Sequence, residues 1–356
     1  MVSPLPSVEN SLTVGNTLDV SQSSWSSLEF DESLPLLGPP QPPPSPPPPP
    51  TPAIPQSPLP PAPSPPSAAG ELTRKALKRK IQRGVEKRVS DFWREKIGRY
   101  VMQGDYLALI MEEGDSITWK SYMWDIPQGV LKFAINAGVN TLPTSDNLKR
   151  WGKRVSDRCS FCGNIETLAH VLSNCSTALD QGRLTWRHNS VLCSIIDVIK
   201  PLLKDGMKLF ADVPGFQAPH GGTIPPHILA TALRPDIVIF SETSLEIVLF
   251  ELTCPWDSNI VRSHTYKSEK YAPLIADLSG SRIVHFYSVE VSARGQITKE
   301  NRSRLKSFLF KSCNGTANVS KSLVRISSKA ALLSSFSIFC ARREPTWEDP
   351  PFLIVH

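Results

Sequence analysis

The first 70 of the 356 residues contain no lysine and no arginine, and they hold only five acids, Glu9, Asp19, Glu29, Asp31 and Glu32. Of the 34 prolines, 21 lie in residues 1–66. A stretch so poor in large apolar residues and so rich in proline cannot bury enough surface to offset chain entropy, so residues 1–70 are expected to be a disordered tail. The net charge of +6 then divides into about −5 on the tail and about +11 on the remainder, which points to a polyanionic partner. No run of 18 apolar residues occurs, and no transmembrane helix or membrane partner is expected. The opening residues, MVSPLPSVEN, have neither a basic nor an apolar signal segment, so a nuclear or cytoplasmic rather than a secreted protein is expected. No internal repeat is evident.

What is present divides the chain further. Residues 35–66 favour extended polyproline II, as a solvated spacer or as a ligand for an SH3- or WW-type groove. Residues 71–152 read as a basic helical region, with eleven Lys/Arg between Arg74 and Arg99. Ala76, Ile81 and Val85 form a sparse apolar stripe, followed by Val89, Phe92 and Ile97, and Ser90 or Asp91 is placed to cap a second helix. The basic run suits phosphate contacts, a nuclear import signal around Arg74–Lys80, or a plain solvated face. In GVLKFAINAGVNTLPTSDNLKRWGKR, Val130, Phe133, Ala134 and Ala137 have helical spacing. Pro143 stops that helix, and Ser145 or Asp146 starts a short one ending at Gly152.

Three of the seven cysteines fall with one histidine in a seventeen-residue window, Cys159, Cys162, His170 and Cys175, in the pattern C-x2-C-x7-H-x4-C. The first pair forms a turn, relaxed by Gly163, in which two thiolates meet one ion; His170 and Cys175 close a tetrahedron. Four protein ligands leave no open position, so the predicted zinc is structural. Arg154, Arg158 and Phe161 around this knuckle suit nucleic-acid contacts. Residues 153–205 thus read as a zinc knuckle and a following helix, DQGRLTWRHNSVLCSIIDVIKPLL, on which Arg187, His188 and Asn189 either touch nucleic acid or form a polar face.

Residues 206–315 carry the second constellation. In RPDIVIFSETSLEIVLFELT, Ile237–Phe240 reads as one strand, Ser241–Ser244 as a turn and Leu245–Leu252 as a second strand. In such a hairpin Asp236 and Glu251 are near neighbours, depending on register, and either suit a hard cation such as magnesium or are a turn residue and a solvated strand end. A helix follows from Ser258, with Ile260, His264, Lys267, Tyr271 and Ile275 on one stripe and a bend at Pro273. The strand RIVHFYSVEVSARGQ and a helix from Lys299 to Phe310 complete a small α/β (α+β) sheet domain, with 316–356 as a C-terminal extension.

The motifs LPTSDNLKRWGK, Cys159 to Cys175, Arg187-His188-Asn189, Arg234-Pro235-Asp236, Glu251-Leu-Thr and Lys267-Ser-Glu-Lys270-Tyr271 occur in that order. Together, over roughly residues 115–312, they resemble the C-terminal part of early-branching, site-specific non-LTR retrotransposon polyproteins, which carries a zinc knuckle and a restriction-like endonuclease of the PD-(D/E)XK type. Thr253 stands where the commoner nuclease pattern has lysine, and the resemblance gives that role to Lys267 or Lys270 on the following helix. It implies that Asp236 and Glu251 hold Mg²⁺ or Mn²⁺ and that Lys267 assists phosphodiester hydrolysis. Lys270, Tyr271, Arg187, His188 and Asn189 would bind nucleic acid, DNA or the element's RNA. No Asp-Asp pair in a Tyr/Phe-Ala-Asp-Asp setting is present, so no reverse transcriptase palm is expected. Two function classes follow: a DNA-nicking endonuclease fragment, or an inactive remnant or domesticated nucleic-acid-binding protein that retains the knuckle.

Overall fold

The computed structural model describes residues 73–100, 103–112, 118–213 and 224–350. The tail expected to be disordered lies outside them. The described residues from 73 onward belong to one compact unit.

The chain enters through α1 (Arg74–Gly98), a single helix of 25 residues where a break at Ser90 or Asp91 was expected. Thr73 caps it by accepting from the Ala76 amide. Among its residues only Ile97 is buried; of the apolar stripe, Ala76 is half-buried and Ile81, Val85, Val89 and Phe92 are exposed. After α2 (Gly104–Glu112), α3 (Gln128–Gly138) buries Val130, Phe133, Ala134 and Ala137, the four positions that share a helical face. The turn after Pro143 opens α4 (Ser145–Arg150). Its cap is Thr144, accepting from Asn147, while the buried Glu166 accepts from the Ser145 amide. Two otherwise orphaned amides are thereby satisfied.

Beyond the knuckle, α5 (Ser176–Asp180) and α6 (Arg183–Ile199) lead to a four-stranded sheet. Its strands are β1 (Met207–Ala211), β2 (Ile237–Ser241), β3 (Glu246–Thr253) and β4 (Ile283–Glu290), in that order. β1, β2 and β3 run antiparallel; β4 lies parallel to β3, reached through the crossover helix α7 (Ile260–Ser279). Both faces of β2 and β3 are covered, which is why these strands read as continuous apolar runs. On one face Ile237, Ile239, Val248, Phe250 and Leu252 pack against α6, α8 (Lys299–Ser312) and α9 (Ala317–Cys340). On the other, Val238, Phe240, Ile247 and Leu249 meet Tyr271 and Leu274 of α7.

The segment expected to be an extension supplies a central helix. Leu323, Ala330 and Ala331 of α9 join the sheet core, while Leu332, Phe336 and Phe339 join a second core built on α3, Leu168, Leu172 and Trp186. Phe133 stacks against both Phe336 and Phe339, at 5.6 and 5.5 Å between ring centroids. Among the described residues α9 is the one helix long and apolar enough to cross a membrane, a feature the count of unbroken apolar runs missed because serines interrupt it. Its buried face fills both cores. Arg294 ties the same two regions together: it pairs with Asp257 at 2.7 Å, donates to the Ala137 carbonyl, and lies between the rings of Tyr106 and Trp256.

Candidate metal centre and carboxylate site

The knuckle begins with a narrow loop closed by a bridge between Arg158 and Ile165. The Cys159 amide donates to the Asn164 carbonyl and the Gly163 amide to the Cys159 carbonyl, a turn that needs the positive φ of Gly163, 73°. His170 starts a single π-helical turn, His170–Asn174, and Cys175 follows it in extended conformation. The ligand atoms of Cys159, Cys162, His170 and Cys175 all lie within 4.8 Å of one another. Cys162 Sγ is 3.3 Å from His170 Nε2 and 4.0 Å from Cys175 Sγ. Tetrahedral zinc with bonds of about 2.3 Å to sulfur separates sulfurs by about 3.8 Å, so the donor set fits zinc. The thiols and imidazole are also held partly out of water, Cys175 with its pKa pushed up to about 11 chiefly by burial. Burial lowers the His170 pKa, which favours the neutral imidazole that a metal binds, and a bound ion would take the place of the Cys175 proton.

The knuckle is attached to the body through α6. Arg187 is 2% exposed. Its guanidinium donates to the carbonyls of Leu172 in the π turn and Cys254 just past β3, and to Ser335 of α9. With those donors spent inside the protein, Arg187 is a strut and not the nucleic-acid contact expected. Around the zinc ligands, Arg154 donates to Ser145, Arg158 remains at the surface, and Phe161 lies under the Arg183 guanidinium.

The carboxylates come together as the hairpin requires. Ile237 pairs with Phe250, and one further step of that register sets Asp236 opposite Glu251. Each carboxylate has its own cation. Lys267 of α7 forms an ion pair with Glu251 Oε1. His188 of α6 lies with Nε2 3.3 Å from Asp236 Oδ2 and 3.2 Å from the Leu252 carbonyl, while its Nδ1 faces Asn189 Oδ1 at 3.0 Å. Both ring nitrogens face oxygen acceptors, an environment that favours the doubly protonated imidazole. Burial works against that charge, and the bond and charge of Asp236 more than offset it, leaving the His188 pKa raised. The Leu252 amide adds a 2.6 Å bond to the same Asp236 oxygen.

Glu251, 2% exposed, has a raised pKa, through burial first and the Asp236 charge second, opposed by Lys267 and the Tyr271 hydroxyl. Its Oε2 makes no hydrogen bond of good geometry, nor does Thr253 Oγ1, and the Tyr271 hydroxyl lies near enough to act on Glu251 without completing such a bond. Buried polar atoms without partners are costly, and three of them lie together at this sheet end, where the two carboxylates meet. Tyr271 is fully buried beside Glu251, so it is a wall of this site and not the surface contact expected of it. Lys270, one residue earlier, is exposed. His188 and Asn189 are half-buried, with both imidazole nitrogens and the Asn189 Oδ1 engaged inside the protein.

The sequence reading missed β1. Asp212, just after it, donates its amide to the Asp236 carbonyl and receives an ion pair from Arg234 at 2.6 Å. Its signal was the short alternation in MKLFA, too brief to separate from loop.

Residues 100–181 match the family model described as zinc-binding in reverse transcriptase. The match spans α2, α3, α4 and all four zinc ligands, and it stops before α6 and the sheet. No curated protein matches the chain.

Proposed function

We propose that the chain is a retrotransposon-derived, metal-dependent DNA endonuclease in which a structural zinc knuckle supports a phosphodiester-hydrolysing carboxylate site. The observation that carries this reading is the orphaned Glu251 Oε2, buried opposite Asp236 and beside Lys267. A purely structural carboxylate pair would have its oxygens satisfied by the fold; this one retains an unpaired acceptor where two carboxylates meet. Residues 100–181 match a domain type associated with reverse transcriptase, which supports a nucleic-acid substrate.

Asp236 and Glu251 would hold Mg²⁺ or Mn²⁺, which when bound polarises the phosphate and lowers the pKa of water. Lys267, held on the inward face of α7, places its ammonium where negative charge develops on the phosphoryl oxygens. Thr253 supplies no such charge, which fits the lysine's arrival from the helix. Tyr271 and the apolar ends of β2 and β3 keep bulk water from the buried side, so the charges act in a medium of low polarity. Exposed Lys270 and the basic face of α1 would hold the DNA backbone through phosphates.

The test is nicking of supercoiled plasmid by zinc-loaded protein with Mg²⁺ or Mn²⁺, wild type beside Asp236→Ala. Metal-dependent nicking lost in the variant supports the reading. Zinc-loaded wild type that binds DNA without nicking it would instead support the inactive, nucleic-acid-binding remnant.

A further inference from the structure

His188 reaches the carboxylate site from outside the sheet. It stands on α6, the helix that leaves the knuckle, and the residue before it is the buried strut Arg187, bonded at once to Leu172 in the π turn and to Cys254 after β3. The backbone that carries the imidazole is therefore pinned from both sides. The ring is pinned too: Asn189 fixes Nδ1, and Nε2 is shared between Asp236 Oδ2 and the Leu252 carbonyl. Asp236 Oδ2 thus receives two donors, the Leu252 amide and the imidazole. A carboxylate held by both donors on one oxygen has a fixed plane and offers the other oxygen, Oδ1, to a cation. Metal-binding carboxylates held by such outer hydrogen bonds lose affinity when the bond is removed, typically by ten- to a hundred-fold.

We propose that His188 is a positioning residue of the cation site, orienting Asp236 so that Oδ1 meets the metal. The inference rests on the proposed use of Asp236 and Glu251 as cation ligands. It also gives the knuckle a reason to precede the sheet: the fold around the zinc sets where α6, and with it the imidazole, stands. A cleft of about 440 Å³ opens beside His188, between Ser173 and Asn174 of the knuckle and Arg262 and Tyr266 of α7.

The experiment is a Tb³⁺ titration of zinc-loaded full-length protein, followed by luminescence sensitised from nearby aromatic side chains, with Asp236→Ala as the blank. Zinc content and thermal midpoint are measured for each variant. His188→Ala is expected to raise the Tb³⁺ dissociation constant about ten-fold or more, while His188→Gln, which keeps an N–H donor of similar reach, stays within about three-fold of wild type. His188→Leu, which fills the space but donates nothing, should behave like alanine and serves if the alanine variant does not fold. Wild-type affinity in His188→Ala or His188→Leu overturns the proposal, and so does a His188→Gln variant as weak as alanine. Wild type that titrates like Asp236→Ala overturns the cation reading itself, and the role of His188 with it.

Discussion

Lys267 and Glu251 form an ion pair across the gap between α7 and β3, with the carboxylate almost wholly buried and the lysine one-fifth exposed. The pair puts positive charge on the one carboxylate oxygen that has a partner and leaves the other oxygen open. Lysine three positions further on points to solvent, because three residues turn a helix by about 300° and carry Lys270 off the inward stripe.

Lys267→Ala is therefore expected to reduce nicking by about 10² or more while changing DNA affinity little. Single-turnover cleavage beside a binding titration checks this. A variant that nicks as fast as wild type would show that the ammonium does not act on the phosphate.

Lys270→Ala should have the complementary effect. An exposed lysine that meets a phosphate contributes about one released counterion, so the slope of log affinity against log salt should fall by about one. Equal slopes for wild type and variant would remove Lys270 from the interface.

Arg187→Ala should destabilise the protein without directly weakening contacts to nucleic acid. It leaves the Leu172 and Cys254 carbonyls without their buried donor, at about 1–3 kcal/mol each. Urea denaturation of the two proteins measures the loss; unchanged stability would contradict the strut assignment.

Purified protein should contain about one zinc per chain. Cys159→Ser with Cys162→Ser should lose the metal and loosen the adjoining core of Leu168, Val171 and Leu172. Elemental analysis gives the first result and near-ultraviolet circular dichroism the second. Stoichiometric zinc in the double variant would assign the ion elsewhere.

Acid stability should depend in part on Glu246 at the start of β3, which forms an ion pair with Lys311 of α8 and lies 3.1 Å from His285 on β4. Burial raises its pKa, but Lys311 and His285 lower it further, so the folded value lies below the usual 4.5. A depressed carboxylate pKa adds stability above the unfolded value, and that stability disappears as pH falls through the folded one. Glu246→Gln should thus be less stable than wild type at neutral pH, with the difference shrinking below about pH 4.5. A difference that stays constant into acid would mean that the charge is not what the site uses.

The sequence by itself determined the local geometry of the knuckle and of the hairpin. C-x2-C-x7-H-x4-C fixes the zinc ligands because a tight turn and one helical turn are local geometry. The two apolar runs on either side of the Ser241–Ser244 turn mark the hairpin, and its register then sets Asp236 opposite Glu251. The stripe on α7 likewise selected Lys267. Tertiary structure decided which polar groups face inward. Arg187 and Tyr271 have the composition of nucleic-acid contacts, and only long-range packing, against residues as distant in sequence as Ser335, turns the arginine into a strut. His188 could be assigned to Asp236, 48 residues away, only when α6 had been laid against the sheet. The role of α9 was hidden for the same reason. A serine-rich apolar helix at the end of a chain carries no local sign that two separate cores close on it, because that burial depends on surfaces contributed by α3, α6 and the sheet.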